Sequence, residues 1–339
     1  MYDVVTIGSA TTDIFLKVNF KIIPWSKTPS GKGYLLPLGK KLEVEDVFFT
    51  VGGNAVNASV TFARQGFKTA CVGKIGCDVF GKELKDRLKK EGVEAKFLVC
   101  TSEKPTAYSV ILLSSGERTI LSYHGASDTF DIDDIDFSKL KSKWWYLSLT
   151  GKSDRLFKKL LNFAVLNKIS VAFNPSGHHL YHKKQEILTS LKNLAFLVLN
   201  EEEASVLTGI SFKKEKEVFK KLDKLMPGIL AVTSGERGVT VSDGRFVYKA
   251  GVFKEKYLID RTGAGDAFGA GFTAALINKQ FNFFNIKNIK PSDIVEAIRL
   301  ASANATSVVE KIGATEGILT KDEFQKSRWQ KLKISIRKL

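Results

Sequence analysis

The sequence predicts an α/β fold: a doubly wound, mostly parallel sheet with helices on both faces, and a small β-sheet beside it as a lid. Short apolar runs rich in β-branched residues alternate along the chain with amphipathic stretches of helical period. The apolar runs show little internal alternation, which is typical of parallel strands that are buried on both faces. With 339 residues the chain is long enough for one large domain with a subdomain.

Six apolar runs are predicted as strands of the main sheet: 4–9, 69–76, 144–149, 170–176, 194–200 and 229–235. Five stretches between them are predicted as helices: 54–66, 80–92, 154–168, 201–209 and 212–226. Several of these stretches end in glycine, which is a frequent helix stop. Trp144 and Trp145 fall in a predicted strand, so we expect both rings to pack in the core.

Nearly every predicted strand ends in a cluster of Gly, Ser, Asn or Thr, as in GSATTD, NPS and TSGERG. In doubly wound folds the ligand crevice lies at the carboxyl ends of the strands. We therefore expect these polar clusters to converge on one rim of the sheet, and the functional site to lie there.

Two segments, 14–50 and 97–125, interrupt the alternation. The first has no long helical pattern, and the second reads as two strands around a turn at 114–117. Both are predicted to form the β lid over the substrate site, a natural arrangement for a detached sheet beside a crevice. The nucleotide-binding, catalytic α/β domain is predicted to comprise the remaining ranges up to residue 325, namely 1–13, 51–96 and 126–325.

The C-terminal segment 326–339 is predicted as a basic tail, either a surface helix or a frayed end. The formal net charge of the chain is +16. Acids are interspersed among the lysines at helical spacing, and no arginine stripe with interleaved aromatics occurs, so we do not expect nucleic-acid binding. No run of about 18 apolar residues occurs, and we expect no membrane span.

The chain contains three cysteines, Cys71, Cys77 and Cys100, without a CxxC spacing. An odd count of this kind is typical of reduced thiols, and the N-terminal residues lack the pattern of a secretory signal. We therefore expect a cytoplasmic protein with three free thiols. His178, His179 and His182 suggest a metal site, but no neighbouring carboxylate or cysteine supports it, and a surface loop is the favoured interpretation.

The stretch Asp260–Phe272, DRTGAGDAFGAGF, places two carboxylates on either side of a glycine-rich turn before a helical pattern. A helix start has amides without partners and partial positive charge, so Gly263, Ala264 and Gly265 are candidates for an anion hole. Asp266 is expected in the first helical turn, kept ionised by the helix end, as a base for phosphoryl transfer. Glycine-rich turns are common, and only the full DxTGAGD spacing makes the prediction specific.

At this point the sequence resembles the ribokinase family of carbohydrate kinases, also called the PfkB family. The C-terminal motif of that family is matched by Asp260–Asp266, and its N-terminal glycine motif by GGNAVNA at 52–58. Further matches follow in order at 74–84, 116–119, 200–203, 233–238 and 301–314. The resemblance covers about residues 3–320 and implies a ribokinase-like fold and ATP-dependent phosphorylation of a small molecule.

The resemblance also implies roles for single residues. Asp266 is similar to the family's catalytic base, and Gly263, Ala264 and Gly265 to its anion hole. The positions similar to substrate-binding residues are Asp13, Gly52, Gly53 and Asn57. The positions similar to the nucleotide side are Asn200, Glu203, Thr233, Gly235, Gly238 and Asn304, the last on a helix that flanks the adenine.

Two ions are implied as well. Glu203 resembles the residue that organises Mg²⁺ through water, and Asp260 and Thr262 lie where many members hold a monovalent cation such as K⁺. Simpler interpretations stay open for three positions: Asp13 as a cap, Glu203 as a first-turn helix acid, and Asn304 as a solvent-facing side chain.

The acceptor side departs from the family's ribokinase members. Asn54 stands where they carry Lys, and Ser148, Leu149 and Thr150 include no acid where they carry Glu. A sugar with a primary hydroxyl is the first choice of acceptor, and a nucleoside such as adenosine is the alternative. A non-catalytic sugar or nucleotide sensor on the same scaffold is a third hypothesis, and the lid is either free or pairs two copies as a homodimer.

Overall fold

The computed structural model describes residues 1–28, 31–114 and 117–339. The strands of this part are β1 Tyr2–Gly8, β2 Thr11–Lys17, β3 Ile22–Pro24, β4 Lys32–Tyr34, β5 Asp46–Gly52, β6 Thr69–Gly76, β7 Leu98–Thr101, β8 Ala107–Ser114, β9 Glu117–Tyr123, β10 Ser142–Ser148, β11 Ser170–Phe173, β12 Phe196–Asn200, β13 Ile229–Thr233, β14 Val239–Ser242, β15 Phe246–Ala250 and β16 Ile334–Lys338. The helices are α1 Asn54–Arg64, α2 Val79–Lys90, α3 Phe157–Leu166, α4 Gly177–Ser190, α5 Glu201–Thr208, α6 Glu215–Asp223, α7 Ala264–Asn278, α8 Pro291–Val308 and α9 Lys321–Phe324.

The main sheet has the strand order β16-β15-β14-β13-β12-β11-β10-β1-β6-β7. Pairing is parallel from β7 to β13 and antiparallel from β13 to β16. Its central strands are apolar throughout because both faces are covered by helices. The predicted fold class, a mostly parallel sheet with helices on both faces and a separate small sheet, is confirmed.

Two hydrophobic clusters lie on opposite faces of the main sheet. One contains residues of α1, α7 and α8, and the other contains residues of α3, α4, α5 and α6. Trp144 belongs to the first cluster and Trp145 to the second, because neighbouring strand residues point to opposite faces. Both tryptophans are buried, as the sequence predicts.

The smaller sheet has the order β5-β2-β8-β9. Strand β2 pairs antiparallel with β5 and parallel with β8, and β8 pairs antiparallel with β9. The centre of the turn expected at 114–117 lies outside the described residues. The chain enters this sheet directly from β1 and leaves it directly into α1, so the small sheet is joined to the crevice edge of the main one.

The expected lid segment 97–125 needs a correction at its start. Strand β7 pairs in parallel with β6 and forms an edge of the main sheet, because it follows α2 as the third part of a β-α-β unit. The other boundaries of the division into a catalytic domain and a lid stay a prediction.

The C-terminal tail does not form the expected surface helix, and it is not frayed over its whole length. Residues Ile334–Lys338 form β16, which pairs antiparallel with β15 at the edge of the main sheet. Its basic side chains are compatible with this place because an edge strand exposes much of its surface, and lysine is common there.

The histidine-rich segment is not a surface loop. It forms α4, whose N-cap Ser176 accepts a hydrogen bond from the amide of His179. The side chain of His179 is fully buried, and burial lowers its pKa to about 4. Within the described residues no group of three or more His, Cys, Asp or Glu side chains is arranged to hold a metal ion.

The expectation of three reduced thiols is wrong for two of them. Cys77 and Cys100 are joined by a disulfide, with a Cα–Cα distance of 5.2 Å, and Cys71 is free and buried. The pair forms because Cys77 follows β6 and Cys100 lies in the neighbouring β7, a proximity that the sequence spacing does not reveal. None of the helices in the described ranges combines the length and apolarity needed to cross a membrane.

Candidate active site

The glycine-rich turn lies where α7 begins. Gly263 is the N-cap, with a φ of 79°, and a Cβ there would lie 2.4 Å from the Cβ of Ala314. Glycine is therefore required both for the backbone conformation and for the close packing. At Gly265 a Cβ would meet no atom within 4 Å, so this backbone faces open space.

The amides of this turn are largely available to a ligand. In the described part of the chain, the amides of Gly263 and Gly265 donate to no protein acceptor, and that of Ala264 makes one long contact, 3.4 Å, to the carbonyl of Arg261. Free amides at a helix N-terminus favour an anion. The geometry is what an anion hole needs, with Ala264 the least available of the three.

The carboxylate of Asp266 is held by two amide side chains. Asn57 Nδ2 donates to Oδ2 at 2.9 Å, and Asn174 Nδ2 donates to Oδ1 at 3.0 Å. Burial raises the pKa of Asp266 to about 6, and the two hydrogen bonds oppose this change. Removal from water therefore outweighs the two donors, and the expectation that the carboxylate is kept ionised holds only above about pH 6.

Asn174 is a site residue that the sequence reasoning misses. It follows β11 in the cluster NPS, one of the polar strand ends expected to line the rim, and that position is the signal that could have found it. Its carbonyl accepts from Ser148 Oγ at 2.9 Å, and Ser148 Oγ accepts from Asn54 Nδ2 at 2.9 Å. The ends of β10 and β11 and the start of α1 thus meet beside Asp266.

Asp13 lies in β2, not in a turn after the first strand. Its side chain is 5% exposed, and burial raises its pKa to about 6, while hydrogen bonds from Ser109 and Thr11 and the charges of Asp260 and Asp266 act on it more weakly. A Cβ at Gly52 would lie 2.0 Å from Asp13 Oδ2, so a side chain there would displace the Asp13 carboxylate. The cap interpretation does not hold for a residue inside a strand.

Gly53 is the N-cap of α1, with a φ of 93°. A Cβ at this position would lie 2.6 Å from the carbonyl oxygen of Ser9, so the glycine lets α1 start against the end of β1. Asn57, one turn later, is 4% exposed, and its Oδ1 has no hydrogen-bond partner among the described residues. The predicted substrate-side residues therefore meet around Asp13 and Asp266.

A cavity of about 400 Å³ lies on the other side of the glycine turn. It brings together six of the residues predicted for the phosphate and nucleotide side, namely Asn200, Thr233, Gly235, Gly238, Ala264 and Gly265. Arg118 of lid strand β9 lines the same cavity and is not among the residues predicted from the sequence. The first turn of α7, which contains Asp266, therefore lies between this cavity and Asp13.

Asn200 and Glu203 cap α5 reciprocally. The amide of Glu203 donates to Asn200 Oδ1 at 2.8 Å, and the amide of Asn200 donates to Glu203 Oε2 at 2.7 Å. Burial raises the pKa of Glu203 to about 7, and the charge of Asp266 adds to this increase. Glu203 is therefore a helix acid, as the simpler interpretation holds. The second oxygen of its carboxylate accepts no hydrogen bond from the described residues.

Asn304 does not line the cavity. Its side chain is 1% exposed, donates to the carbonyl of Ala267 at 2.9 Å and accepts from the amide of Leu319 at 2.9 Å. The solvent-facing alternative is therefore wrong, and so is a direct nucleotide contact for Asn304, because the residue points into the junction of α7 and α8. The role of α8 beside the adenine stays a prediction. The residues of α8 that line the cavity are Ser302, Ala305 and Thr306.

Asp260 and Thr262 are brought together beside the turn. The amide and the hydroxyl of Thr262 both donate to Asp260 Oδ1, at 3.0 and 2.8 Å. Asp260 is 1% exposed, and its Oδ2 is buried with no hydrogen-bond partner in the part of the chain that the structure describes. An uncompensated buried carboxylate oxygen fits a cation ligand.

Comparison with known proteins decides the family. The model of the pfkB family carbohydrate kinases matches residues 3–321. The chain belongs to the PfkB family of carbohydrate kinases. The resemblance that the two glycine motifs indicate is thereby confirmed, and the protein is a phosphotransferase.

Relatives of this kinase act on sugars and on nucleosides. It is 28% identical to a ribokinase of Haemophilus influenzae, over 86% of this chain and 91% of the relative. It is 27% identical to a cytidine kinase of Thermococcus kodakarensis, over 77% of this chain and 88% of the relative. The structure of an Arabidopsis thaliana ribokinase complexed with ribose and ATP superposes with a TM-score of 0.74, at 21% identity, over 97% and 99% of the chains.

Proposed function

We propose that this kinase transfers the γ-phosphoryl group of ATP to a hydroxyl of a small sugar, with a primary hydroxyl as the first choice. The observation that carries the proposal is the place of Asp266. It lies between the acceptor-side residues Asp13 and Asn57 and the glycine turn, whose Gly265 lines the cavity and has a free amide. A base next to an anion hole is the minimum that phosphoryl transfer requires.

In this proposal the carboxylate of Asp266 accepts the proton of the acceptor hydroxyl. The hydroxyl oxygen forms a bond to the γ-phosphorus, and the bond from that phosphorus to the bridging oxygen of ADP breaks. A pKa of about 6 leaves Asp266 largely ionised at neutral pH and close to the operating pH, where a general base is efficient. The amides of Gly263 and Gly265 stabilise charge on the migrating group.

Two ions fit this scheme. Mg²⁺, when bound with ATP, would neutralise phosphate charge, and the free oxygen of Glu203 is suited to hold a water of its shell. The unpartnered Oδ2 of Asp260 is suited to a monovalent cation such as K⁺.

Arg118 adds a guanidinium to the cavity wall, where a phosphate would lie.

A nucleoside acceptor is the second candidate. Ile120 of β9 is 42% exposed and lies on the same face of the lid as Asp13, where an apolar side chain would cover a base. The relationship to a cytidine kinase supports the same candidate. Sugar and nucleoside therefore belong in one acceptor panel.

The test is ADP release from Mg-ATP with a panel of pentoses, hexoses and nucleosides. We expect turnover with at least one acceptor, and loss of turnover by about 100-fold or more in Asp266→Asn with ATP binding retained. Asp86→Asn is the matched control, since Asp86 is an exposed acid on α2. Acceptor binding without turnover in the wild type would contradict the proposal and favour a non-catalytic sensor.

We also propose that the lid pairs two copies. Strands β5 and β9 are the edges of the lid sheet, and Phe49 and Leu121 on them are 56% exposed. Free apolar edges of this kind favour association. Sedimentation equilibrium of the wild type and of Phe49→Lys should show a dimer that the substitution weakens, and a monomeric wild type would contradict it.

A further inference from the structure

Five residues form a continuous set of hydrogen bonds around the proposed base, which we call the amide ring: Asn54, Asn57, Ser148, Asn174 and Asp266. The set passes through side chains except at Asn174, whose backbone carbonyl accepts from Ser148. Both ends of the set lie on α1, because Asn54 and Asn57 are three residues apart on one helix face. From Asn54 the bonds run through Ser148 and Asn174 to Asp266, and from Asp266 they return to Asn57.

Asn174 is fixed at its backbone from two sides. Its amide donates to the carbonyl of Leu147 at 3.0 Å, and its carbonyl accepts from Ser148 Oγ at 2.9 Å. Pro175 follows, and the residue before a proline is restricted to extended conformations. The direction of the Asn174 side chain is therefore set by β10 and β11 before any ligand binds.

The ring fixes the orientation of the Asp266 carboxylate. Each of its two oxygens accepts one amide N–H, from Asn57 and from Asn174, so rotation of the carboxylate would break both bonds. Donors of this kind also favour the ionised form over the protonated one. Loss of either donor should thus disturb both the direction and the basicity of the group.

The ring is connected directly to the lid. Strand β5 ends at Gly52, Gly53 caps α1, and Asn54 is the first helical residue. The amide of Asn54 donates to Ser9 Oγ at 3.0 Å, which holds this end of α1 against the end of β1. The acceptor-side segment and the base therefore share one hydrogen-bonded unit.

We propose that Asn174 is a positioning residue for Asp266, and that Ser148, held by Asn54, supports it by fixing the backbone carbonyl of Asn174. The inference rests on the proposed phosphoryl transfer. Asn174 acts through the carboxylate, so its loss should change basicity and rate together without weakening ATP binding.

The test compares Asn174→Ala with wild type, using the best acceptor at saturating Mg-ATP between pH 5 and pH 9. We expect kcat/KM for the acceptor to fall about tenfold to hundredfold, as for a lost hydrogen bond to a charged group. Asp13 and Glu203 also have raised pKa values and feel the charge of Asp266, but in the described part of the chain only Asp266 accepts a hydrogen bond from Asn174 among these three acids. The acid limb of the pH profile should therefore move to higher pH by about one pH unit. The KM for ATP should stay within about twofold of wild type.

Asn167→Ala is the matched control, because Asn167 is an exposed amide at the end of α3 whose side chain, among the described residues, bonds only to the carbonyl of Phe163. It should leave both the rate and the acid limb unchanged. Ser148→Ala should move the acid limb in the same direction by a smaller amount. The double variant Ser148→Ala with Asn174→Ala should lose less than the product of the two single effects, since Ser148 acts through Asn174.

A wild-type acid limb in a folded Asn174→Ala variant would overturn the inference. If that variant does not fold, an unchanged acid limb in Ser148→Ala does the same. A carboxyl ¹³C NMR titration of Asp266 gives a readout that needs no turnover. An unchanged pKa in the variant refutes the inference, whereas absence of turnover in the wild type with every acceptor refutes only the proposed function.

Discussion

Replacement of Asp266 by Asn should make the fold more stable while it removes activity. Burial raises the pKa of the carboxyl from its ordinary value of 3.8 to about 6. An acid whose pKa is higher in the folded state opposes folding when ionised; the cost is complete above pH 6 and disappears below pH 4. The difference corresponds to about 3 kcal/mol, since one pKa unit is about 1.36 kcal/mol.

This figure is an upper limit for the gain in folding stability, because the amide introduced at position 266 must find hydrogen-bond partners. Asn57 and Asn174 both donate to the carboxylate, and one of them has to turn to accept from the side-chain amide introduced at position 266. Asn57 can do so, since its Oδ1 has no partner in the described part of the chain. We therefore expect a gain of about 1–3 kcal/mol at pH 8.

Urea unfolding at pH 8 and at pH 5 measures this effect. The free energy of unfolding of Asp266→Asn should exceed that of wild type at pH 8, and the excess should be smaller by about 1.4 kcal/mol at pH 5. Asp86→Asn, at an exposed position, should change stability by less than about 0.5 kcal/mol at both values. A variant no more stable than wild type at pH 8 would show that the buried carboxylate carries no such cost.

Three further changes test other parts of the molecule. Gly52→Ala should raise the acceptor KM about tenfold or more and leave the KM for ATP unchanged, since the Cβ of the introduced alanine would lie 2.0 Å from Asp13 Oδ2. An acceptor KM equal to that of wild type would contradict this expectation. Rates should be higher in K⁺ than in tetramethylammonium at equal ionic strength, and Asp260→Asn should remove the difference; a wild type indifferent to the cation rules out the site. Deletion of residues 333–339 should lower the unfolding temperature measured by calorimetry by several degrees because β15 loses its outer partner and keeps only β14, and an unchanged temperature would show that β16 adds nothing.

The rim of polar strand ends was predictable because it follows from the fold class. Once the strands are parallel, Asn200 and Thr233 must lie on the same edge, and one cavity contains both. The glycines were predictable for a similar reason, since Gly263 has a backbone conformation that disfavours other residues. These inferences depend on local chemistry and on strand direction alone.

What could not be predicted depends on tertiary surroundings. The pKa of Asp266 is set by burial, which a helix-start argument does not contain. Whether Asn304 faces the cavity or the junction of α7 and α8 depends on the rotation of α8 by a fraction of a turn. The tail became a strand because β15 offered a free edge, and its partner lies far away in the sequence.

The place of β16 has a consequence for biosynthesis. Strand β15 leaves the ribosome well before Ile334–Lys338, so its outer edge stays open while α7 and α8 are being made. An open edge can recruit a strand from another nascent chain. Released chains that stop short of residue 334 should thus aggregate more readily than chains that contain β16.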